Sequence, residues 1–334
     1  MTVSARPIAL GAALAVVLAV AIVAAVVVGP ADIGVSQIWA SVAARLSGAP
    51  SPLSVTQEAI VWELRVPRVL TAALVGAGLA VVGAVMQAMT GNPLADPYLL
   101  GLSSGASVGA VVVVVLGVSL LLPVAAFVGA LGAALLVLAL GGTTVPMRTI
   151  LAGVAVSAAL SAITSFVVFW SATGDTYREL LGWLLGSLAG ATWSSVAVVA
   201  TATLVVGMPL ALSSSVLDAF AFGDRTAGTL GVDVPRARRL LLIGCALLTG
   251  ALVAVSGAIG FIGLVIPHAV RLLVGSGHRA VLPLGALGGA TLLVAADTVA
   301  RSLFAPRELP VGVLTALVGA PVFAALLWRQ RRAG

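Results

Sequence analysis

Long uninterrupted runs of apolar residues constrain this chain more than any other feature of its sequence. Several runs reach the length of about 20 residues that an α-helix needs to cross the hydrocarbon core of a membrane. The runs are continuous, whereas a membrane-spanning β-strand alternates apolar and polar residues. Charged residues make up 8% of the chain, and a soluble domain carries roughly a quarter. The sequence therefore predicts a single all-α, polytopic membrane domain over residues 1–334.

The runs predict about ten transmembrane helices. Residues 8–28 could be a cleaved signal peptide, but the run exceeds the usual apolar length of about 7–15 residues, so we interpret it as a retained helix. Residues 240–274 are too long for one helix, and we divide them around Ser256, Gly257 and Gly260 into spans seven and eight. The other spans are predicted at residues 66–89, 98–117, 120–140, 149–170, 193–212, 281–304 and 311–328.

Three polar segments interrupt the spans. Residues 29–62 are mixed in character and are predicted to lie outside the membrane, and residues 171–192 are predicted to form a short surface helix on the same side. Residues 213–239 form the longest charged interruption in the second half of the chain. A hydrophobic chain that sets aside such a segment usually presents it to a partner.

The distribution of arginine predicts the orientation in the membrane. Ten spans place both termini on one side, and eleven of the arginines lie on that side against six on the other side. Cytoplasmic loops are enriched in positive charge, so both termini and residues 213–239 are predicted to be cytoplasmic. The net charge of +6 then reflects arginines that flank spans, and we expect lipid rather than nucleic acid around the chain.

Two absences exclude whole classes of chemistry. All 17 basic residues are Arg, and a phosphate-binding loop of the Walker A type needs a Lys that reaches the terminal phosphates. The chain therefore cannot bind ATP in that way, and it cannot form a Schiff base. Its single cysteine, Cys245, excludes an intramolecular disulfide and a paired-cysteine metal site. We expect no catalytic residue, no metal ligand and no cofactor in this chain.

Several polar and small residues have two readings on physical grounds alone. Arg65 and Arg68 could anchor a helix end at the interface, with their charged groups reaching water, or could receive an acidic partner. The serines and threonines at 157, 161, 164 and 165 form a polar stripe that serves either hydrogen bonding between helices or a watery path. Small residues at intervals of four allow close helix packing in lipid. They are Gly101, Gly105 and Gly109.

A set of local motifs resembles one family of transport proteins. From about residue 60 to the end, the chain is similar to the permease subunits of vitamin B12 and ferric-siderophore importers driven by ATP-binding-cassette (ABC) ATPases, the FecCD or BtuC-like family. The motifs are RVPR at 65–68, GNPLADP at 91–97, GLSSGA at 101–106, SGAIGFIGLVIPH at 256–268, ADTVAR at 296–301, ELPVG at 308–312 and GAP at 319–321.

The resemblance implies a set of partners. They are a second permease, identical or paralogous, two cytoplasmic ATPases that use ATP and Mg²⁺, and a substrate-binding protein on the opposite side. It also implies that residues 213–239 form a loop of two short helices that docks on the ATPase. The residues expected to carry this coupling are Asp218, Phe220, Gly223, Asp224, Arg225, Leu230, Gly231 and Arg236.

The resemblance also assigns roles to residues outside the coupling loop. Outer-face arginines of similar permeases receive acidic residues of the binding protein, and Arg65, Arg68 and Arg301 match them. An ion pair within one helix between Asp297 and Arg301 is the rival interpretation for Arg301. His268 is interpreted as a structural residue at a helix break. The expected cytoplasmic gate or path consists of Asn92, Leu94, Thr143 and Thr144.

The cargo and two other transporter classes remain as alternatives. Within the family the cargo could be a ferric siderophore, cobalamin or haem, and a siderophore is the first expectation because it is the commonest cargo of such permeases. An ion-coupled secondary transporter would carry acidic or basic residues along its path, and Asp297 is the one acidic residue within a predicted span. An ion channel would need a filter segment, and the sequence offers none.

Overall fold

The computed structural model contains α-helices joined by short connections. It describes residues 5–29, 31, 33–118, 122–142, 146–171, 174–303 and 307–333, and no strand occurs in these ranges. The helices are α1 (Ala5–Val27), α2 (Val35–Ser47), α3 (Val55–Ala59), α4 (Val66–Thr90), α5 (Leu102–Val115), α6 (Leu122–Gly141), α7 (Pro146–Ser171), α8 (Gly174–Leu184), α9 (Trp193–Ala202), α10 (Met208–Leu212), α11 (Ser214–Phe220), α12 (Asp224–Thr229), α13 (Val234–Ser256), α14 (Ile262–Val274), α15 (His278–Ser302) and α16 (Val311–Ala333).

The number of apolar helices agrees with the expected ten. Within the described ranges, seven helical stretches are long and apolar enough to cross a membrane, and three shorter apolar helices accompany them. The predicted division of residues 240–274 is confirmed, because α13 ends at Ser256 and α14 begins at Ile262. The all-α membrane fold predicted from the sequence is therefore confirmed.

The second span begins earlier than its sequence suggested. One continuous helical stretch runs from Val55 to Thr90, and a π-helical turn at Ile60–Arg65 joins α3 to α4. The sequence predicted a start at residue 66, next to Pro67, which cannot donate a backbone hydrogen bond. The wider turn, in which Val66 N–H donates to Val61 O, instead carries the helix past the proline.

The sixth span repeats this device. A π-helical turn at Thr203–Gly207 joins α9 to α10, and Met208 N–H donates to Thr203 O. Pro209 follows Met208, as Pro67 follows Val66. In both spans the π turn therefore ends two residues before a proline, so that the helix continues despite the missing donor.

Helix α4 lies at the centre of the molecule. Eighteen of its residues are buried, and two glycines bring its backbone against neighbouring helices. A Cβ atom on Gly76 would overlap the carbonyl of Gly289 in α15, and one on Gly83 would overlap Gly263 in α14. Contacts this close are how helices associate in lipid, where burial of apolar surface supplies little driving force.

The predicted packing glycines fall into two groups. A Cβ on Gly105 or Gly109 of α5 would overlap backbone atoms of Gly129 or Ala125 in α6, so both lie at a close helix crossing. Gly101 instead precedes α5 with a φ of 72°, a left-handed conformation that glycine adopts without strain. The third span consequently starts at Leu102, after a 3₁₀ turn at Pro97–Leu100.

Candidate functional site

Arg65 is the first of three arginines at the end of the molecule that carries α2. Its guanidinium group donates to the carbonyl oxygens of Val26 at 2.9 Å, Val27 at 2.8 Å and Ala31 at 2.8 Å. These carbonyls belong to the last turn of α1 and the residues after it, where the helix has no N–H donors of its own to satisfy them. Arg65 therefore caps α1, and it is only 4% exposed.

Arg301 approaches the same helix end from α15. Its Nη2 atom donates to the carbonyl oxygen of Ala25, and the side chain is buried. The ion pair with Asp297 considered from the sequence is not formed, because both carboxylate oxygens of Asp297 face Arg68 of α4. Arg65 and Arg301 thus fasten α1 to two different spans.

Arg68 joins α4 to α15 and to the segment that leads into α16. Its Nε and Nη2 atoms both donate to Asp297, each with a bond of 2.9 Å, and its Nη1 atom donates to Glu308 Oε2 at 2.7 Å. The Asp297 side chain is 2% exposed, whereas that of Glu308 is 40% exposed. Burial favours such charges only when they are paired, and this network pairs them.

These three arginines, which we call the arginine face, therefore do not stand free in solvent. The structure brings them together, as expected for a shared surface, but each is bound to groups of its own chain. Arg68 is 9% exposed, and Arg65 and Arg301 are 4% exposed each. Docking of a binding protein on them stays a prediction, and in this arrangement it would require a change at the surface.

Helix α11 lies at the opposite end, in the segment that the sequence assigned to coupling. Asp218 of α11 accepts two hydrogen bonds through its Oδ1 atom, from the backbone N–H of His278 at 2.9 Å and from the ring Nδ1 of His278 at 2.7 Å. His278 is the first residue of α15, and the preceding Gly277 has no side chain to cap the helix. Asp218 supplies that cap from another helix.

Helix α12 is fastened in a second way. Arg238 of α13 donates to both carboxylate oxygens of Asp224, at 2.8 and 3.1 Å. The same guanidinium group lies 5.5 Å above the ring of Phe220 and 3.4 Å from the carbonyl oxygen of Met89 in α4. Arg238 is 5% exposed, so it forms a buried connection between the two short helices and two spans.

The surface left exposed by these links is partly apolar. Phe222 is 70% exposed and Leu230 is 63% exposed, and each lies next to a turn glycine in the left-handed region, Gly223 with a φ of 86° and Gly231 with a φ of 88°. Arg225 and Arg236 are exposed beside them. We call the segment 213–239 the coupling loop and its exposed side the loop face.

Sequence reasoning missed several contributors to this region. Arg238 was counted only as one of the cytoplasmic arginines, and His278 and Phe222 were not singled out. Asp218 and His278 are separated by 60 residues in sequence, and no periodic pattern links them. Two signals were available in the sequence. A glycine before a span cannot cap the helix with a side chain of its own, and an aromatic residue stands next to Gly223 in a charged segment.

The predicted gate segment after α4 has a defined conformation. Asn92 Oδ1 accepts from Leu94 N–H at 2.9 Å, and Leu94 is 40% exposed. Asp96 accepts from Tyr98 N–H at 2.9 Å, and burial raises the pKa of the Asp96 carboxyl group to about 6 despite this hydrogen bond. Thr143 and Thr144, the other predicted gate residues, lie outside the described residues.

Tyr98 connects the gate segment to the break between α13 and α14. Its hydroxyl group donates to Ile259 O at 2.8 Å and accepts from Ile259 N–H at 2.9 Å. Both backbone groups of Ile259 lie where no helix can satisfy them, and unsatisfied polar groups are costly in a membrane. The gate segment is thereby tied to the helix break.

Three chain breaks meet beside that point. Ser187 N–H donates to Ser256 O at 2.9 Å, and Gly312 N–H donates to Gly186 O at 3.1 Å. A Cβ atom on Gly186, Gly257 or Gly312 would overlap a backbone carbonyl of a neighbouring segment. We call this contact of Gly186, Gly257 and Gly312 the glycine junction.

The helix expected at residues 171–192 exists as α8, but Leu180 and Leu188 are buried, so the segment is not confined to the surface.

A cavity of about 620 Å³ adjoins the glycine junction. Leu184, Leu185 and Ala258 form part of its wall, and Val313 and Leu317 of α16 form another part. Phe261 also borders it, with a φ of 70°, which is uncommon for a bulky residue. A pocket with an apolar wall suits a solute that carries few unpaired charges.

One residue of the polar stripe of α7 forms a hydrogen bond to another helix, which is one of the two roles considered from the sequence. Ser161 Oγ lies 3.1 Å from Ser104 Oγ of α5, which is a hydrogen bond between helices. Thr164 instead donates to Leu160 O of its own helix at 3.0 Å. His268 lies buried within α14, one residue after Pro267. The helix break expected at this residue is absent, because α14 continues from Ile262 to Val274.

The described residues thus form ten apolar helices with a loop of two short helices at one end. The match to known families is direct, because a family model described as the FecCD transport family covers residues 17–329. The chain belongs to the FecCD transport family, and the resemblance found from its motifs is confirmed.

Three named relatives cover most of the chain. The cobalamin import system permease protein BtuC of Halobacterium salinarum is 47% identical, over 81% of this chain and 74% of that protein. The Fe(3+) dicitrate transport system permease protein FecD of Escherichia coli is 45% identical, over 81% and 86%. The hemin transport system permease protein HmuU of Yersinia pestis is 44% identical, over 81% and 84%.

A solved structure supports the same fold. It is described as an inward-facing conformation of a putative metal-chelate type ABC transporter, and it shares 31% identity with this chain. The match has a TM-score of 0.84 and covers 96% of this chain and 98% of the other. The described helices therefore follow the fold of a permease from an ABC transporter.

Proposed function

We propose that this chain is the permease subunit of an ABC importer that moves a ferric siderophore into the cytoplasm by alternating access. Two permeases, identical or paralogous, would form the path between them. Two separate ATPases would bind ATP and Mg²⁺, and this chain would perform no covalent chemistry. The same architecture carrying cobalamin or haem is the alternative, and the named relatives support it equally.

The arrangement of the coupling loop is the observation that carries this proposal. Its two short helices expose Phe222 and Leu230, while Asp218 and Arg238 connect the loop to α15, α13 and α4. A contiguous apolar patch exposed outside the membrane marks a surface that binds a partner, and we infer that Phe222 and Leu230 belong to such a patch. A partner that moves this loop would also move the spans to which it is fastened.

The charge distribution supports the proposed orientation. Eleven arginines are assigned to the side of the coupling loop and six to the other side, so the coupling loop would face the cytoplasm. The arginine face would then lie outside the cytoplasm, where a substrate-binding protein delivers cargo. Both termini would be cytoplasmic.

The cargo proposal depends on the relatives and on the cavity. Cobalamin, hemin and ferric dicitrate, the cargoes named for three relatives, are all metal ions held by an organic chelator. The cavity beside the glycine junction has a largely apolar wall, so selectivity for one chelate would depend on the binding protein. We propose that Asn92, Leu94, Thr143 and Thr144 restrict the path at its cytoplasmic end.

An ion-coupled secondary transporter fits the structure less well. Asp297, the acidic residue that such a mechanism would use, is 1% exposed and is bound by two guanidinium nitrogens of Arg68. A carboxylate held in this way is poorly placed to take up and release a proton during a transport cycle.

Co-purification tests the coupling-loop assignment. The permease would be co-expressed with its ABC ATPase, and the amount of ATPase retained by the tagged permease would be measured for Phe222→Asp and Leu230→Asp. We expect both to lower retention at least several-fold. Val55→Asp is the matched control, because Val55 is 88% exposed at the opposite end. Equal retention in all variants would exclude the coupling loop as the ATPase contact.

A further inference from the structure

Glu308 is the outermost member of the network around Arg68. The Arg68 side chain is 10% exposed and that of Asp297 2%, whereas Glu308 is 40% exposed. Its Oε2 atom lies 2.7 Å from Arg68 Nη1. An approaching protein would therefore meet the carboxylate of Glu308 before it could reach Arg68.

The two carboxylates on Arg68 are held unequally. Asp297 receives the forked pair of Nε and Nη2 donors in a buried position, and such paired hydrogen bonds are strong and geometrically fixed. Glu308 receives only Nη1 and remains partly solvated, and partly exposed ion pairs contribute little. The contact with Glu308 can therefore open while Asp297 keeps Arg68 in place.

The charges of the face favour an acidic partner. Arg65, Arg68 and Arg301 carry three positive charges, and Asp297 and Glu308 carry two negative charges, so one positive charge is left. When Glu308 turns away, the Nη1 donor of Arg68 loses its acceptor. The excess of positive over negative charge around Arg68 then rises from one to two. A carboxylate of a partner protein would accept the hydrogen bond from this donor and would balance the positive charge.

We propose that Glu308 occupies the position on Arg68 that a carboxylate of the substrate-binding protein takes during docking, so that docking exchanges one carboxylate for another. This inference rests on the proposed function as an importer. Glu308 acts as an internal competitor, and the apparent affinity for the binding protein is reduced by the fraction of permease in which Arg68 is covered.

The exchange has a consequence for the transport path. Glu308 lies in a short segment that leads into α16, and Leu309 N–H in that segment donates to Ala300 O of α15 at 3.1 Å. Gly312 and Val313 at the start of α16 border the 620 Å³ cavity. Release of Glu308 would remove one tie of this segment while the Leu309 hydrogen bond remains, and the segment ends at residues that border the cavity. The exchange at Arg68 would in this way reach the wall of the cavity.

The direct test is the affinity of the permease in lipid nanodiscs for its substrate-binding protein. We expect Glu308→Gln to bind roughly two- to fivefold more tightly than the wild type, the range for a partly exposed ion pair. Glu63→Gln is the matched control, because Glu63 is exposed on the same face and makes no ion pair with these arginines; its affinity should change less than that of Glu308→Gln.

The outcomes separate this inference from the function on which it rests. If the binding protein binds the wild type and Glu308→Gln binds equally or more weakly, the exchange is wrong and the importer assignment stands. If the binding protein binds none of the three forms, the proposed importer function is contradicted and the exchange falls with it.

A second measurement needs no partner. A nitroxide label on Arg307→Cys reports the mobility of the segment next to Glu308, and the only natural cysteine, Cys245, is buried. We expect Glu308→Gln to increase the mobility of the label in the electron paramagnetic resonance spectrum, and Glu63→Gln to leave it unchanged. An identical spectrum for both variants would overturn the inference.

Discussion

Asp218 of the coupling loop and His278 of α15 share one carboxylate oxygen, which accepts from both the backbone N–H and the ring of His278. The His278 side chain is 5% exposed and that of Asp218 41% exposed. The contact thus joins a buried helix start to a helix on the surface. A displacement of α11 by a bound ATPase would act directly on the first turn of α15.

We predict that Asp218→Asn weakens coupling more than it weakens folding. Asparagine caps a helix about as well as aspartate, so the melting temperature should change little, but the charged acceptor for the histidine ring is lost. In proteoliposomes that contain the complete importer, the ratio of cargo transported to ATP hydrolysed should fall. Asp233→Asn, which alters a cap within the coupling loop that accepts from Arg236 N–H, should keep the wild-type ratio.

We predict that Arg238→Met destabilises the protein by about 1–3 kcal/mol, the range for lost hydrogen bonds to a charged group. Arg238 is buried and binds Asp224 and the end of α4. Arg236→Met, at an exposed position on the same helix, should stay within about 0.5 kcal/mol. Thermal unfolding in detergent measures both, and equal effects would contradict the structural role assigned to Arg238.

We predict that Gly312→Ala destabilises the glycine junction. A Cβ at this position would overlap Leu185 O, and overpacking of this kind costs about 1–3 kcal/mol. Gly260→Ala is the matched control, because Gly260 borders the same cavity and has no atom within 4 Å of an added Cβ. A melting temperature lowered equally by both substitutions would contradict the close contact at Gly312.

We predict that Arg65→Gln lowers stability by about 2 kcal/mol or more, because three carbonyl oxygens at the end of α1 lose a charged donor. Arg45→Gln, whose partner Glu58 lies 3.5 Å away in an exposed pair, should change stability by less than about 1 kcal/mol. If Arg65→Gln keeps full stability and only lowers the affinity of the permease for the binding protein, Arg65 is a docking residue rather than a cap.

The sequence predicted the features that follow from local composition. Apolar runs gave the number of spans, and the pair Ser256 and Gly257 marked the break between α13 and α14, because glycine and serine interrupt a run locally. The motifs led to the correct family. Each of these signals is contained within a stretch of chain about one helix long.

Contacts between distant segments could not be read in the same way. The arginines of the arginine face were visible as charges, but their burial depends on the carbonyls of α1 and on Asp297, which lie far away in the sequence. The second span was predicted to start at residue 66 because no local signal in the sequence indicates the π turn at Ile60–Arg65. The cap that Asp218 provides for α15 likewise exists only after folding.

Uptake by the reconstituted importer is the most direct test of the central claim. Proteoliposomes with this chain, its ATPase and its binding protein would be offered radiolabelled ferric siderophores, cobalamin and haem, with and without ATP. We expect ATP-dependent accumulation of one metal chelate, and of a ferric siderophore first. Accumulation of cobalamin or haem would replace the proposed cargo and keep the importer. Uptake that proceeds without ATP, or no uptake of any chelate, would contradict the account.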